Sequence, residues 1–210
     1  MDDPPAVFRP EAAERNRSRN IVTLGTYLRA ADTLEAHGRA RFVREAGAAY
    51  STGSVDTGTI EDNRADLAHT RLVAAMNAGR VWARKRFVEW LDPLLEPGIA
   101  VCVVPPHDPF TPEPPLRLLA QALAARNGRT DATACLVRHT AIRRIVFGGA
   151  STVAIHRESM RVDSPELIQG RTVLLLDDVA KSGVSLLTCR MLLLEAGAGR
   201  VQAVALGRVR

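Results

Sequence analysis

The stretch Arg171-Thr172-Val173-Leu174-Leu175-Leu176-Asp177-Asp178-Val179-Ala180-Lys181-Ser182-Gly183-Val184-Ser185-Leu186 sets the architecture of this chain. Thr172 to Leu176 reads as a fully buried strand, because an unbroken apolar run between polar flanks is the pattern of a parallel strand covered on both faces. Its carboxyl end delivers two adjacent carboxylates, Asp177 and Asp178, into a short loop. Val184 to Glu195 then reads as a helix, closed by Gly197. The carboxyl end of such a strand is where open α/β sheets bind ligands.

The chemistry of that junction is specific in kind. Ala180 to Val184 present successive backbone N–H groups at the start of a helix, where unpaired amides and the helix dipole favour an anion. Gly183 permits close approach, and Ser182 and Ser185 add hydroxyl donors. The carboxylates accept hydrogen bonds and so suit sugar hydroxyls or a hydrated Mg²⁺. A phosphate at one end and a diol at the other describe a ribose 5-phosphate. The same residues also admit a plainer account, in which a serine caps a helix and the aspartates end a strand.

The segment resembles the phosphoribosyl pyrophosphate (PRPP) motif of type I phosphoribosyltransferases: four apolar residues, two acidic, two small apolar, then a Ser–Gly loop. The continuation Glu195-Ala196-Gly197-Ala198-Gly199-Arg200-Val201 is similar to the segment after the motif in that family, including its ComF-like members associated with DNA uptake. The resemblance implies an α/β fold with a parallel-sheet phosphoribosyltransferase-like core over residues 99–210. In it, Asp177 and Asp178 hold the ribose hydroxyls and Mg²⁺, while Val179, Ala180, Lys181, Ser182, Gly183, Val184 and Ser185 form the phosphate cradle. Lys181 stands where Thr or Ser is usual, and the zinc-binding cysteines typical of ComF-like proteins are absent.

The resemblance implies two further parts. The loop Pro105-Pro106-His107 falls where the family binds pyrophosphate, often across an unusual peptide bond; its plainer account is a proline-rigid surface turn. The segments Arg138-His139-Thr140-Ala141-Ile142-Arg143-Arg144 and His156-Arg157-Glu158-Ser159-Met160-Arg161 flank Gly148-Gly149-Ala150-Ser151. They resemble the mobile hairpin that closes over pyrophosphate, with Arg143, Arg144 and Arg157 as candidate catalytic cations beside Asp177 and Asp178. A solvated basic hairpin is the plainer account.

Outward from the motif, short apolar runs alternate with helical patterns, as in βαβ units. Ile99 to Val104 reads as a strand, Pro114 to Arg126 as a helix, Ala132 to Val137 as a strand and Val201 to Leu206 as the last strand. Upstream, residues 21–98 read as a helical N-terminal region, a possible hood or interface. Its helices run from Tyr27 to about Ala49 and from near Asp62 to about Leu95, with a possible bend at Gly79. Residues 1–20 read as a flexible arm. Trp82 and Trp90 sit at helical spacing, which is more often packing than a base-stacking platform.

Composition bounds the remaining classes. The 210 residues carry a formal charge of +5, and Lys85 and Lys181 are the only lysines. Such an arginine excess suits phosphorylated metabolites or nucleic acid, and equally a solvated basic surface. Cys102, Cys135 and Cys189 lie far apart in apolar stretches, as reduced buried thiols do. The acidic start and lack of a long apolar run point to a cytoplasmic protein without a membrane partner. The function expected is transfer of phosphoribosyl to or from a nitrogenous base, with Mg²⁺ as cofactor, PRPP or a nucleoside monophosphate as ligand, and a possible homodimer. The alternative is a non-catalytic nucleotide or PRPP sensor, or an accessory protein in DNA uptake or processing.

Overall fold

A computed structural model describes Val7, Arg9 and residues 21–28, 57–110, 114–142 and 152–209. Its centre is a parallel sheet built on β7 (Thr172–Ala180). Alternation along that strand divides the interior in two. Leu174 and Leu176 join Val101, Val103, Val204 and Leu206 in one core, whereas Val173 and Leu175 join Ala100, Cys102, Ala203 and Ala205 in the other. All these side chains are buried, so the central strands are apolar on both faces and need helices on both.

The order of strands in the sheet is β1 (Ile21–Thr23), β8 (Arg200–Val209), β7, β3 (Ala100–Val103), β4 (Thr130–Asp131), and β2 (Thr26–Tyr27) also pairs with β8. Every pairing in it is parallel. From β3 the chain passes through α3 (Pro115–Ala124) outward to β4; from β7 it passes through α5 (Val184–Glu195) in the opposite direction to β8. The strand order therefore reverses between β3 and β7, and a crevice opens outside their carboxyl ends. α1 (Thr57–Asn77), α2 (Val81–Leu91) and α3 contribute to the first core, and α5 covers the second.

Several expectations are corrected. β7 does not stop at Leu176: Asp177 pairs in register with Ala205, Val179 with Gly207 and Ala180 with Arg208. The acidic pair thus sits on the strand, because β8 also runs on past Leu206 and keeps the ladder supplied. The stretch Ala132 to Val137 is not one strand. Thr130–Asp131 makes a short edge, a turn comes next, and β5 (Leu136–Arg138) leaves the sheet to pair antiparallel with β6 (Met160–Val162). The helix expected from Asp62 to Leu95 starts earlier and is broken, with Gly79 at φ +74 between α1 and α2. Leu95 closes a 3-10 turn over Asp92–Leu94.

At the amino end, Tyr27 lies in β2 rather than opening a helix, and Ile21–Thr23 is a sheet strand. The rest of the expected helix to Ala49 lies outside the described residues. Val7 is 2% exposed within the first core, and its carbonyl accepts from Glu96 N while Arg9 N donates to Leu94 O. At those two positions the chain is docked rather than loose. Among the described residues no helix is long and apolar enough to cross a membrane.

Candidate functional site

The crevice at the strand reversal is a cleft of about 780 Å³. Its walls come from the carboxyl ends of β7 and β3, the loops after them, and the end of α1. Asp177, Asp178, the strand end Val179-Ala180, the turn Lys181 to Gly183, and Ser185 all line it; so do Pro105, Pro106 and His107. Residues far apart in sequence, predicted for the two ends of one ligand, thus face one space. Val184 is not among the lining residues.

The acidic pair is held by its own backbone. Asp178 N donates to Asp177 Oδ1 at 2.9 Å, Val179 N to Asp178 Oδ1 at 2.7 Å, and Asn77 Nδ2 to Asp178 Oδ2 at 2.8 Å. No ion pair to either aspartate is present among the described residues. Burial first, and the neighbouring Asp178 charge second, push the Asp177 carboxyl well above its usual range. Two adjacent oxygen donors whose charge lacks a cation are a fitting donor set for hydrated Mg²⁺, which commonly takes only one or two carboxylates and completes its shell with water and substrate phosphates. Among the described residues no group of three or more metal-binding side chains gathers.

The turn after β7 is shaped by Gly183, which takes φ +78 as the residue preceding α5. A Cβ there would also lie 2.6 Å from Ile21 Cδ1, the mobile end of a side chain. Backbone conformation therefore dominates the cost. Gly183→Ala is expected to lower stability by about 1–2 kcal/mol, read as a drop in urea midpoint with an unchanged slope.

The cleft is also lined by two cations that the sequence reading does not choose as site residues, Arg138 and Arg117. Arg138 is 3% exposed; it donates to Pro106 O at 2.7 Å from Nε, to Ser159 Oγ from Nη1, and to Met160 Sδ at 3.2 Å from Nη2. Burial lowers its pKa, yet guanidinium at the end of β5 remains a fixed positive charge on the cleft wall. Arg117, in the first turn of α3, also lines the cleft, and its buried Nε has no hydrogen-bond partner among the described residues. Arg138 ends a short apolar stretch, so the signal for its role was the chain reversal at β5, which sequence spacing does not carry.

Other predicted residues lie elsewhere. Arg157 is exposed on α4 (Val153–Ser159) and forms a bidentate pair with Glu195, at 2.8 and 2.7 Å, at the far end of α5. It is not brought to the cleft. Arg143 and Arg144, with the glycine stretch after them, lie outside the described residues. No peptide bond among the described residues is cis, so the Pro105-Pro106 loop is shaped without one. Trp90 lies parallel to His69 with ring centroids 6.2 Å apart, and the Arg86 guanidinium is 5.2 Å from its ring. Only Trp82, 60% exposed, presents an open ring, so the pair is no stacking platform.

The chain matches no protein-family model and no curated protein.

Proposed function

We propose that this chain binds PRPP or a related ribose 5-phosphate in the cleft and transfers the phosphoribosyl group to or from a nitrogenous base, on a core of the type I phosphoribosyltransferase kind. The observation that carries this reading is the convergence on one cleft of an acidic pair, an amide-rich turn opening a helix, and a buried arginine end. Three chemically different parts of one ligand find matching walls.

The amides and hydroxyls from Ala180 to Ser185 hold the 5-phosphate. Asp177 and Asp178 accept from the ribose hydroxyls, and Mg²⁺ bound there supplies charge neutralisation for the departing pyrophosphate. Arg138, with Arg117 and the Pro105-Pro106-His107 loop, takes the pyrophosphate end. Positive charge fixed at that place stabilises the leaving group more as its negative charge grows, which is how preorganised donors lower a barrier. The acceptor approaches the opposite face of the sugar, and Asn77 at the end of α1 gives the N-terminal region a wall in the same cleft. That supports residues 21–98 as part of the hood.

A thermal shift tests binding. PRPP with Mg²⁺ at about 100 times its dissociation constant adds about 2.7 kcal/mol, hence a rise of roughly 5–11 °C for a chain of this size. The rise is expected to disappear in Asp177→Asn/Asp178→Asn. No shift in the wild type would overturn the proposal; pyrophosphate release in an acceptor screen extends it from binding to transfer.

A further inference from the structure

The phosphate turn is backed by a histidine outside the predicted motif. His156, on α4, is 1% exposed, and its Nε2 lies 3.3 Å from Ser185 Oγ, in the first turn of α5. Ser185 lines the cleft; His156 stands behind it and does not. The helical turn that carries the ring is tied to β5 through its backbone. His156 O accepts from Ser159 Oγ at 3.0 Å, Ser159 Oγ accepts from Arg138 Nη1, and Arg138 Nε donates to Pro106 O at 2.7 Å. A chain of contacts through a single turn of α4 therefore links the loop after β3 to the first turn of α5, both of which line the cleft.

We infer that His156 is a positioning residue for the anion site: by donating from Nε2 to Ser185 Oγ, it directs the Ser185 proton toward a bound phosphate. The inference rests on the phosphate reading of the cleft and deepens it. A hydroxyl has one proton, and a phosphate oxygen at neutral pH mostly accepts. Ser185 can donate to the anion only if it does not donate to His156, so Nε2 must carry a hydrogen in the liganded state. The groups facing the ring are Arg138 from β5, His107 from the loop after β3, and Ser185 from α5. Burial first, then the Arg138 and His107 charges, hold the imidazole down to about 4. The donor is therefore the neutral ring in its Nε2–H tautomer, with Ser185 polarised between ring and phosphate.

The test is ribose 5-phosphate binding by calorimetry to the full chain, in wild type, His156→Leu, His156→Gln, Ser185→Ala and the His156→Leu/Ser185→Ala double variant. His156→Leu is expected to weaken binding about 5- to 10-fold, the scale of one hydrogen bond. Gln carries an amide N–H in its place and restores most of that loss. In the Ser185→Ala background His156→Leu has no further effect, because the histidine acts only through that hydroxyl. Equal weakening by His156→Leu with and without Ser185 would make it merely structural and overturn the inference, as would a pyridine-type Nε2 ¹⁵N signal in the wild-type complex. That spectroscopic readout stands even if the leucine variant does not fold. Failure of wild type to bind ribose 5-phosphate at all would instead overturn the phosphate reading.

Discussion

Asp177→Asn is expected to give a protein that melts higher than wild type and binds ribose 5-phosphate less well. Asp177 is half-buried on the cleft wall against Asp178, and both desolvation and that neighbouring charge disfavour its ionised form. Asparagine removes the charge. It keeps the Oδ1 acceptor for the Asp178 amide, now 2.9 Å away, and gains an N–H group beside the Asp178 carboxylate. Relief of such strain at a functional site stabilises a fold by about 0.5–2 kcal/mol, a rise of roughly 1–8 °C. Binding moves the other way, because a charged acceptor for a sugar hydroxyl is lost at about 1.5–3 kcal/mol, ~10- to 150-fold in Kd. Melting curves and calorimetry on the same preparations check both signs. If the variant melts lower and binds normally, the aspartate is a fold residue and the cleft's ribose end is misassigned.

How much of this molecule is legible in its sequence depends on the range of the physics involved. The run Val173 to Leu176, the helix Val184–Glu195 and its closing Gly197 at φ +100 are local: their pattern, dipole and capping lie within a few residues of one another, and the structure places them as read. The cleft end at Pro105 to His107 comes from the family resemblance, with which the rule that ligands sit at strand carboxyl ends agrees. Arg138 and His156 do not, because each owes its place to a pairing between β5 and β6 and to the packing of α4 on α5. Leu136-Val137-Arg138 looks like any strand end, and its desertion of the main sheet has no local marker. The same limit explains β1. Three residues, Ile21-Val22-Thr23, are too few to show a period, and only the open edge of β8 makes them a strand. Arg157 illustrates the converse: abundance of arginine makes any one of them plausible in sequence, and Glu195 decides where this one goes.

Arg129→Ala is expected to be the most damaging single change to stability outside the cleft. The Arg129 side chain is 0% exposed and bonds to the Asp92 carboxylate at 2.5 Å. Its remaining N–H groups donate to Glu96 O at 3.0 Å, Leu95 O at 3.0 Å, Asp92 O at 3.2 Å and Leu123 O at 3.2 Å. One guanidinium thus satisfies the carbonyls where α2, its 3-10 turn and α3 all end, tying the N-terminal helices to the sheet's flanking helix. Truncation takes the buried donor from all four carbonyls and leaves the Asp92 carboxylate only Arg126 and Asn127, at about 3–5 kcal/mol, measured as the fall in unfolding free energy in urea. Arg129→Lys keeps the charge without the fork and is expected to lose less, about 1–3 kcal/mol. The effect also carries a pH signature. Burial alone would raise Asp92, but hydrogen bonds and charges from Arg129 and Arg126 outweigh it and hold the carboxyl below 3.8. A depressed carboxyl contributes stability that is present above its unfolded pKa and lost as pH falls through the folded value. The difference between wild type and Arg129→Ala should therefore be full at neutral pH and shrink below 3.8 as wild-type Asp92 takes up its proton. A difference that stays constant to the acid limit would assign the loss to the four carbonyls and leave the ion pair with no net part in stability.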